Sequence, residues 1–303
     1  MEERFIEENE FSSNIATRRK RRRKQTIVLK VTCAILVVAV VAMGVWVVSL
    51  FDTISQRDEQ LQEKEKAVVE LQTQVDEKQR EVDTWKVKYE NLSASLDSDA
   101  KIAYLTFDDG PSDNTLKILD ILKENDACGT FFVTGKGKSD YMKNIVDSGN
   151  AIALHTYTHT YKQIYANEEA YFDDLQKISD LVYEKTGVRT NLVRFPGGSS
   201  NTISKVSMKT LANAVEEKGY LYFDWNCDSG DARTDGVPAD TLVQNIRDDM
   251  GSSKKLTILM HDTAAKSTTV EALPQIIKLL KDKGYKLAVL NEDMKPCHHN
   301  IGR

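Results

Sequence analysis

From Lys101 onward the sequence predicts an α/β fold, a parallel sheet curled into a barrel of about seven strands. Short apolar runs alternate strictly with segments of helical period, the mark of parallel strands with helices packed outside. Six or seven such units follow one another, which suits a closed or nearly closed barrel better than an open sheet. A third observation sets the first hundred residues apart. "VTCAILVVAVVAMGVWVVSLF", Val31–Phe51, carries no charge, and no Gly or Pro interrupts the polar stretch between Phe51 and Ala100.

Taken in order, the chain starts with a basic segment that includes "RRKRRRK", Arg18–Lys24. The uncharged run after it has the roughly 20 apolar residues that cross a bilayer. Positive charge on its N-terminal flank retains that side in the cytoplasm. The expectation is a cytoplasmic tail at 1–25 and a transmembrane helix at 26–51. Such a chain is a single-pass, type II protein of the cell membrane, with everything beyond the span extracytoplasmic. A cleaved signal peptide has a shorter apolar core and a small-residue cleavage site, and "SLFDTIS" is a poor one. The net charge of −5 gives no global case for nucleic acid as a partner, and the basic run is explained by the adjacent span. Ile54, Leu61, Val68, Val75, Val82, Tyr89 and Leu96 then recur every seven residues, whereas the companion seam is mixed, with Arg57, Lys64 and Lys78 beside Leu71, Trp85 and Leu92. This predicts a helical stalk at 52–97, a coiled coil that pairs copies of the chain or a single solvated helix.

After Asp97-Ser98-Asp99 the predicted strands are "KIAYLTF", "ACGTFFV", "NAIALH", "NLVRF", "YLYFDW", "KLTILM" and "YKLAVL". Between them lie helical segments at 113–124, 139–148, 168–185, 204–218, 239–250 and 269–282. The catalytic domain is expected to span 98–295, leaving a tail at 296–303. Cys128, Cys227 and Cys297 are an odd set without C-x-x-C spacing, which argues against a disulfide framework and leaves one pair open.

In such barrels chemistry gathers at the carboxyl ends of the strands. Asp108 and Asp109 follow the first strand, His155 and His159 the third, Arg194 the fourth, Asp228 and Asp231 the fifth, and His261 the sixth. Only five histidines occur in the chain, and the three outside the tail all fall at these ends. His155 and His159 have the i, i+4 spacing that puts two imidazoles on one side of a helical turn. Two histidines and one carboxylate form a ligand set for a catalytic divalent metal with open positions. Adjacent carboxylates raise each other's pKa, but a nearby cation lets both stay ionised. One can then bind the metal while its neighbour serves as a base.

The segments "TFDDGPS", "HTYTH", "RFPGG", "DSGDA" and "LMH" occur in the order of the five motifs of polysaccharide deacetylases, and this chain resembles that family, the NodB-homology domain of carbohydrate esterase family 4. The resemblance covers about Lys101 to Leu290 and implies a deformed (β/α) barrel with metal-dependent removal of acetyl groups from extracellular polysaccharide. By position, Asp108 resembles the catalytic base, and Asp109, His155 and His159 resemble the metal triad. His261 resembles the general acid, Arg194 the residue that orients the base, and Asp231 the carboxylate that supports the acid. The metal is expected to be Zn2+, with Co2+ or Ni2+ as substitutes. Two positions depart from the family pattern. After Pro196 an aromatic is usual and Gly197 stands here; its backbone N–H remains to hold the oxyanion. After the second aspartate of the fourth motif a tryptophan is usual and Ala232 stands here, with Trp225 a few residues earlier as a substitute. Both bear on the sugar site more than on the chemistry.

The substrate implied is peptidoglycan, through its N-acetylated sugars, or another extracellular polysaccharide. Two other readings compete: a non-catalytic glycan-binding scaffold acting through its coiled coil, and a deacylase of a smaller or O-acetylated substrate. No base, metal ligand or acid is missing, which favours the enzyme.

Overall fold

The computed structural model describes residues 2–96 and 100–301. It divides into two units, 1–75 and 76–303. The expected boundary at Asp97-Ser98-Asp99 lies outside the described residues. Helix α1 runs over Glu2–Leu96 and is long and apolar enough, by length and composition, to cross a membrane. Its side chains from Ile27 to Phe51 are exposed, as are Ile54, Leu61, Val68, Val75 and Val82 of the seven-residue seam. The seam positions Tyr89 and Leu96, and the companions Trp85 and Leu92, lie outside the described side chains.

The second unit is a curled parallel half-barrel ringed by helices, a deformed β/α barrel. Strand β1 is Ile102–Asp108, followed by α2 (Asp113–Glu124), β2 (Gly129–Val133) and α3 (Met142–Asp147). Next come β3 (Ala151–Leu154), α4 (Tyr161–Ile164), α5 (Glu168–Thr186) and β4 (Leu192–Val193). The chain continues through α6 (Met208–Glu217), β5 (Leu221–Tyr222) and β6 (Cys227–Asp228). It ends with α7 (Ala239–Asp249), β7 (Lys255–His261), α8 (Ser267–Asp282) and β8 (Lys286–Leu287). All pairings are parallel, in the order β5-β4-β3-β2-β1-β7-β6, with β8 joining the start of β1. Among the described residues no ladder joins β5 to β6, so the barrel stays open there.

The alternation of side chains along β1 explains how one strand serves both core and site. Ala103, Leu105 and Phe107 face the helices and join the main core with Ile118, Leu122, Phe131, Ile258 and Met260. Ile102 and Tyr104 face into the curl, in a smaller cluster with Phe132, Ala153, Phe223 and Leu290. Thr106 and Asp108 continue that inward row, so the buried strand delivers a carboxylate to the inside of its own sheet end.

Four local expectations are corrected. The predicted fourth and fifth strands shrink to two residues each. The fifth strand and "CD" are two strands, and Asp231 follows the second of them. α6 starts at Met208 rather than Ser204, because Ser207 caps it and the Asn201 and Ser204 side chains hold residues 201–206 as a loop. The segment from His155 to His159 is not a helical turn: Thr156 and His159 have positive φ values of 67° and 45°. Among the described residues no disulfide joins any two of the four cysteines.

Candidate active site

The sheet register assembles the site before any side chain is considered. Asp108 on β1 stands opposite His261 on β7 and Phe132 on β2. Asp109 follows at φ 73°, a costly conformation for a non-glycine residue. Together with Thr156 and His159 it makes three left-handed residues in the two loops that carry the carboxylate and the histidines. The second of those loops is held from α5. The buried Asp174 carboxylate accepts the amides of Tyr157 (2.5 Å) and Thr158 (3.1 Å), and sequence reasoning missed it because its partners lie seventeen and sixteen positions away.

Asp109 Oδ1 lies 3.0 Å from His159 Nε2 and 3.4 Å from His155 Nε2, and the three ligand atoms fall within 4.8 Å of one another. His155 Nδ1 is 2.9 Å from the Arg194 carbonyl. A carbonyl only accepts, so Nδ1 carries the proton and Nε2 keeps its lone pair. Burial pushes His155 down to about 3, which keeps that ring neutral. Asp109 Oδ1 is buried and has no hydrogen-bond partner. A carboxylate oxygen orphaned beside imidazole nitrogens is costly by itself and well suited to a divalent cation. These residues therefore fit a metal ion.

On one flank, fully buried Arg194 donates from Nη1 to Asp108 Oδ1 (2.8 Å) and to Thr106 Oγ1 (2.7 Å). Its Nε and Nη2 donate to the carbonyls of Phe223 (2.9 Å) and Asp224 (3.1 Å), and its plane lies 4.1 Å from the Phe132 ring. Four donor bonds thus fix the guanidinium, one of them to the carboxylate of Asp108. Burial pushes Asp108 above the ordinary carboxylate range, with Arg194 opposing. On the other flank, His261 Nδ1 donates to Asp231 Oδ1 at 2.7 Å, while Asp231 Oδ2 accepts from the His261 amide (2.7 Å) and from Thr269 Oγ1 (2.8 Å). Burial alone would lower His261, but the bond and charge of Asp231 outweigh it and raise the ring to about 9. The same contacts overcome burial at Asp231 and lower it. Asp108 and His261 thus present a poised acceptor and a poised donor on neighbouring strands.

Pro196 and Gly197 belong to a turn held by the Tyr165 hydroxyl, which donates to the Pro196 carbonyl at 2.8 Å. Trp225 stands against Gly198 and edge-on to His299, with Arg194 at 5.8 Å. Asp228 stays outside this network and closes its own turn by accepting the Gly230 amide at 2.7 Å. Two further groups were missed by the sequence reading. Asp262, next to His261, is buried under Gly110, accepts from Thr115, and is raised by burial to about 7. The C-terminal segment, read as a tail, packs on the site: Cys297 accepts the Asp224 amide, and the His299 amide donates to Asp224 Oδ2, both at 2.8 Å.

A parallel half-barrel with a carboxylate-histidine cluster, a buried base candidate and an ion-paired histidine defines a hydrolase of the deacetylase class. Comparison with known proteins agrees. The polysaccharide deacetylase family profile matches residues 95–220. A putative polysaccharide deacetylase of Bacillus subtilis, YheN, is 36% identical over 204 residues, covering 65% of this chain and 70% of that protein. A peptidoglycan-N-acetylglucosamine deacetylase of Bacillus cereus is 35% identical over 199 residues, covering 64% and 70%. Among solved structures, the catalytic domain of peptidoglycan N-acetylglucosamine deacetylase from Eubacterium rectale matches with a TM-score of 0.63 and 38% identity, over 67% of this chain and 94% of that one. The chain belongs to the polysaccharide deacetylase family, among relatives named as peptidoglycan N-acetylglucosamine deacetylases.

Proposed function

We propose that this protein is a divalent-metal-dependent N-deacetylase of peptidoglycan, acting on N-acetylglucosamine and held at the outer face of the cell membrane by α1. The observation that carries the reading is the orphaned Asp109 Oδ1 among the His155 and His159 nitrogens, with Asp108 and His261 in register on neighbouring strands. Asp109, His155 and His159 would hold the ion, Zn2+ first and Co2+ or Ni2+ as substitutes. Once bound, such an ion polarises the acetyl carbonyl and acidifies water. Asp108, aligned by Arg194, takes the proton of the attacking water. The Gly197 N–H, which has no acceptor among the described residues, donates to the oxygen that gains charge. His261, kept protonated by Asp231, gives its proton to the leaving amine, which cannot depart as an anion near neutral pH.

The anchoring part of the proposal rests on the uncharged Val31–Phe51 run and on the basic residues before it. The domain limits follow the same reading: 1–25 inside, 26–51 spanning, 52–97 a stalk able to pair copies, 98–295 catalytic.

The test is acetate release by the full chain in detergent from peptidoglycan and from N-acetylglucosamine oligomers. Chelation should abolish it and added zinc should restore it. Asp109→Asn should lose metal affinity, whereas Asp108→Asn should keep the metal and lose turnover. Metal-independent release, or equal metal loss in both variants, would show that these residues are assigned wrongly. Binding without release would favour the scaffold reading.

A further inference from the structure

Gly197 has φ 77°, and a Cβ built on it would lie 2.9 Å from the Tyr161 hydroxyl and 3.2 Å from its ring. The space a side chain at 197 would need is therefore filled by Tyr161, from a different loop. Tyr161 opens α4, two residues after His159, and is half-buried. Its ring is fixed from two sides: perpendicular to the His159 ring at 5.5 Å, and edge-on to Tyr165 at 5.8 Å. Tyr165 in turn holds the Pro196 carbonyl. One aromatic pair thus ties the loop of the second histidine to the turn after Arg194. Yet the Tyr161 hydroxyl bonds to nothing among the described residues. Neither does the Gly197 N–H beside it. Two unused donors stand together at the edge of the carboxylate-histidine cluster.

We infer that the Tyr161 hydroxyl is the second donor of the oxyanion pocket, acting with the Gly197 N–H on the acetyl oxygen as it becomes negative. The inference rests on the deacetylase reading above. The geometry supports a built arrangement, because a phenol fixed by two ring contacts stands over a glycine that has no space for a Cβ. Donors pre-aimed at developing charge strengthen as the charge appears, so their loss shows in turnover more than in ground-state binding. Glycine at 197 then has a second meaning: it makes room for a side-chain donor, in addition to supplying its own amide.

The experiment compares the zinc-loaded full chain with Tyr161→Phe, which keeps the ring, its packing on His159 and Tyr165, and its contact with Gly197. The substrate is an N-acetylglucosamine oligomer, and the probe is the matching methylphosphonamidate, a tetrahedral anion in place of the acetyl group. The expected result is normal metal content, KM within about threefold, and kcat lower by about 10²–10³-fold, the scale for one such donor. Affinity for the phosphonamidate should fall in proportion. Unchanged kcat, a change in KM alone, or a phosphonamidate bound as tightly as by the wild type would each overturn the inference while leaving the deacetylase reading intact. A zinc-loaded wild type that releases no acetate from any N-acetylated glycan would overturn that reading, and this inference with it.

Discussion

At the scale of single residues, the site is a contest between burial and partners. His261 shows it most clearly. Burial disfavours its charge, and Asp231 with two further carboxylates reverses the sign, holding it at about 9. Because this value exceeds the ordinary 6.5 of an unfolded chain, the contribution of the His261 proton to stability is complete below about pH 6.5 and is lost as pH rises through about 9, while that of the lowered Asp231 is lost at acid pH. Activity should follow the same proton. The alkaline limb of kcat should fall no higher than about pH 9, since a bound cation can only lower the ring further. In Asp231→Asn the limb should move down toward 6.5 or below, with metal content retained. A limb that stayed in place would belong to another group. The gathering of His261, Asp231, Asp108 and Asp109 was legible because they sit in short motifs at strand ends. Asp174, Asp262 and Tyr161 were not, because what makes each of them matter is a partner or a cavity contributed by a distant loop.

At the scale of elements, the longer strands were legible in full and the irregular pieces were not. β1, β2, β3 and β7 are apolar runs whose buried pattern survives in any fold. β4 and β5 were read as longer strands and keep only two residues each, and β6, also of two residues, is too short to show a period. The histidine loop read as helical because spacing alone cannot reveal two left-handed residues. The C-terminal segment has no period at all, yet it works as a strap. His298 stacks on Tyr222 at 3.7 Å, and His299 bonds to Ser200 and to the Trp225 carbonyl. Through Asp224 the strap reaches both Ser199 and the backbone that Arg194 grips. Ending the chain at Pro296 should therefore do more than trim a tail. The buried Asp224 would lose two partners, at about 1–3 kcal/mol each. The catalytic unit should melt several degrees lower, and kcat should fall more than KM, with metal still bound. An unchanged melting curve and an unchanged kcat would show that the strap is ornamental.

At the scale of the whole molecule, residues 1–75 and residues 76–303 are separate units with separate demands. The uncharged run is long and apolar enough to cross a bilayer, and Asp108 and His261 stand together at the carboxyl ends of β1 and β7. Protease added to intact cells with an exposed surface should remove the catalytic unit and leave residues 1–25 protected; full protection of the catalytic unit would reverse the orientation. The central place of β1 in the sheet then has a consequence for biogenesis. β1 is the first strand to leave the ribosome, but its second neighbour, β7, begins only at Lys255. A strand must wait for its partner when the intervening loop is long, and folds of that kind assemble slowly. During that wait one edge of an apolar strand is open to any other strand nearby. A stalk that gathers two copies would bring two such unfinished edges together. The segment from Lys255 onward therefore decides whether each emerging copy closes on itself or zips onto its neighbour.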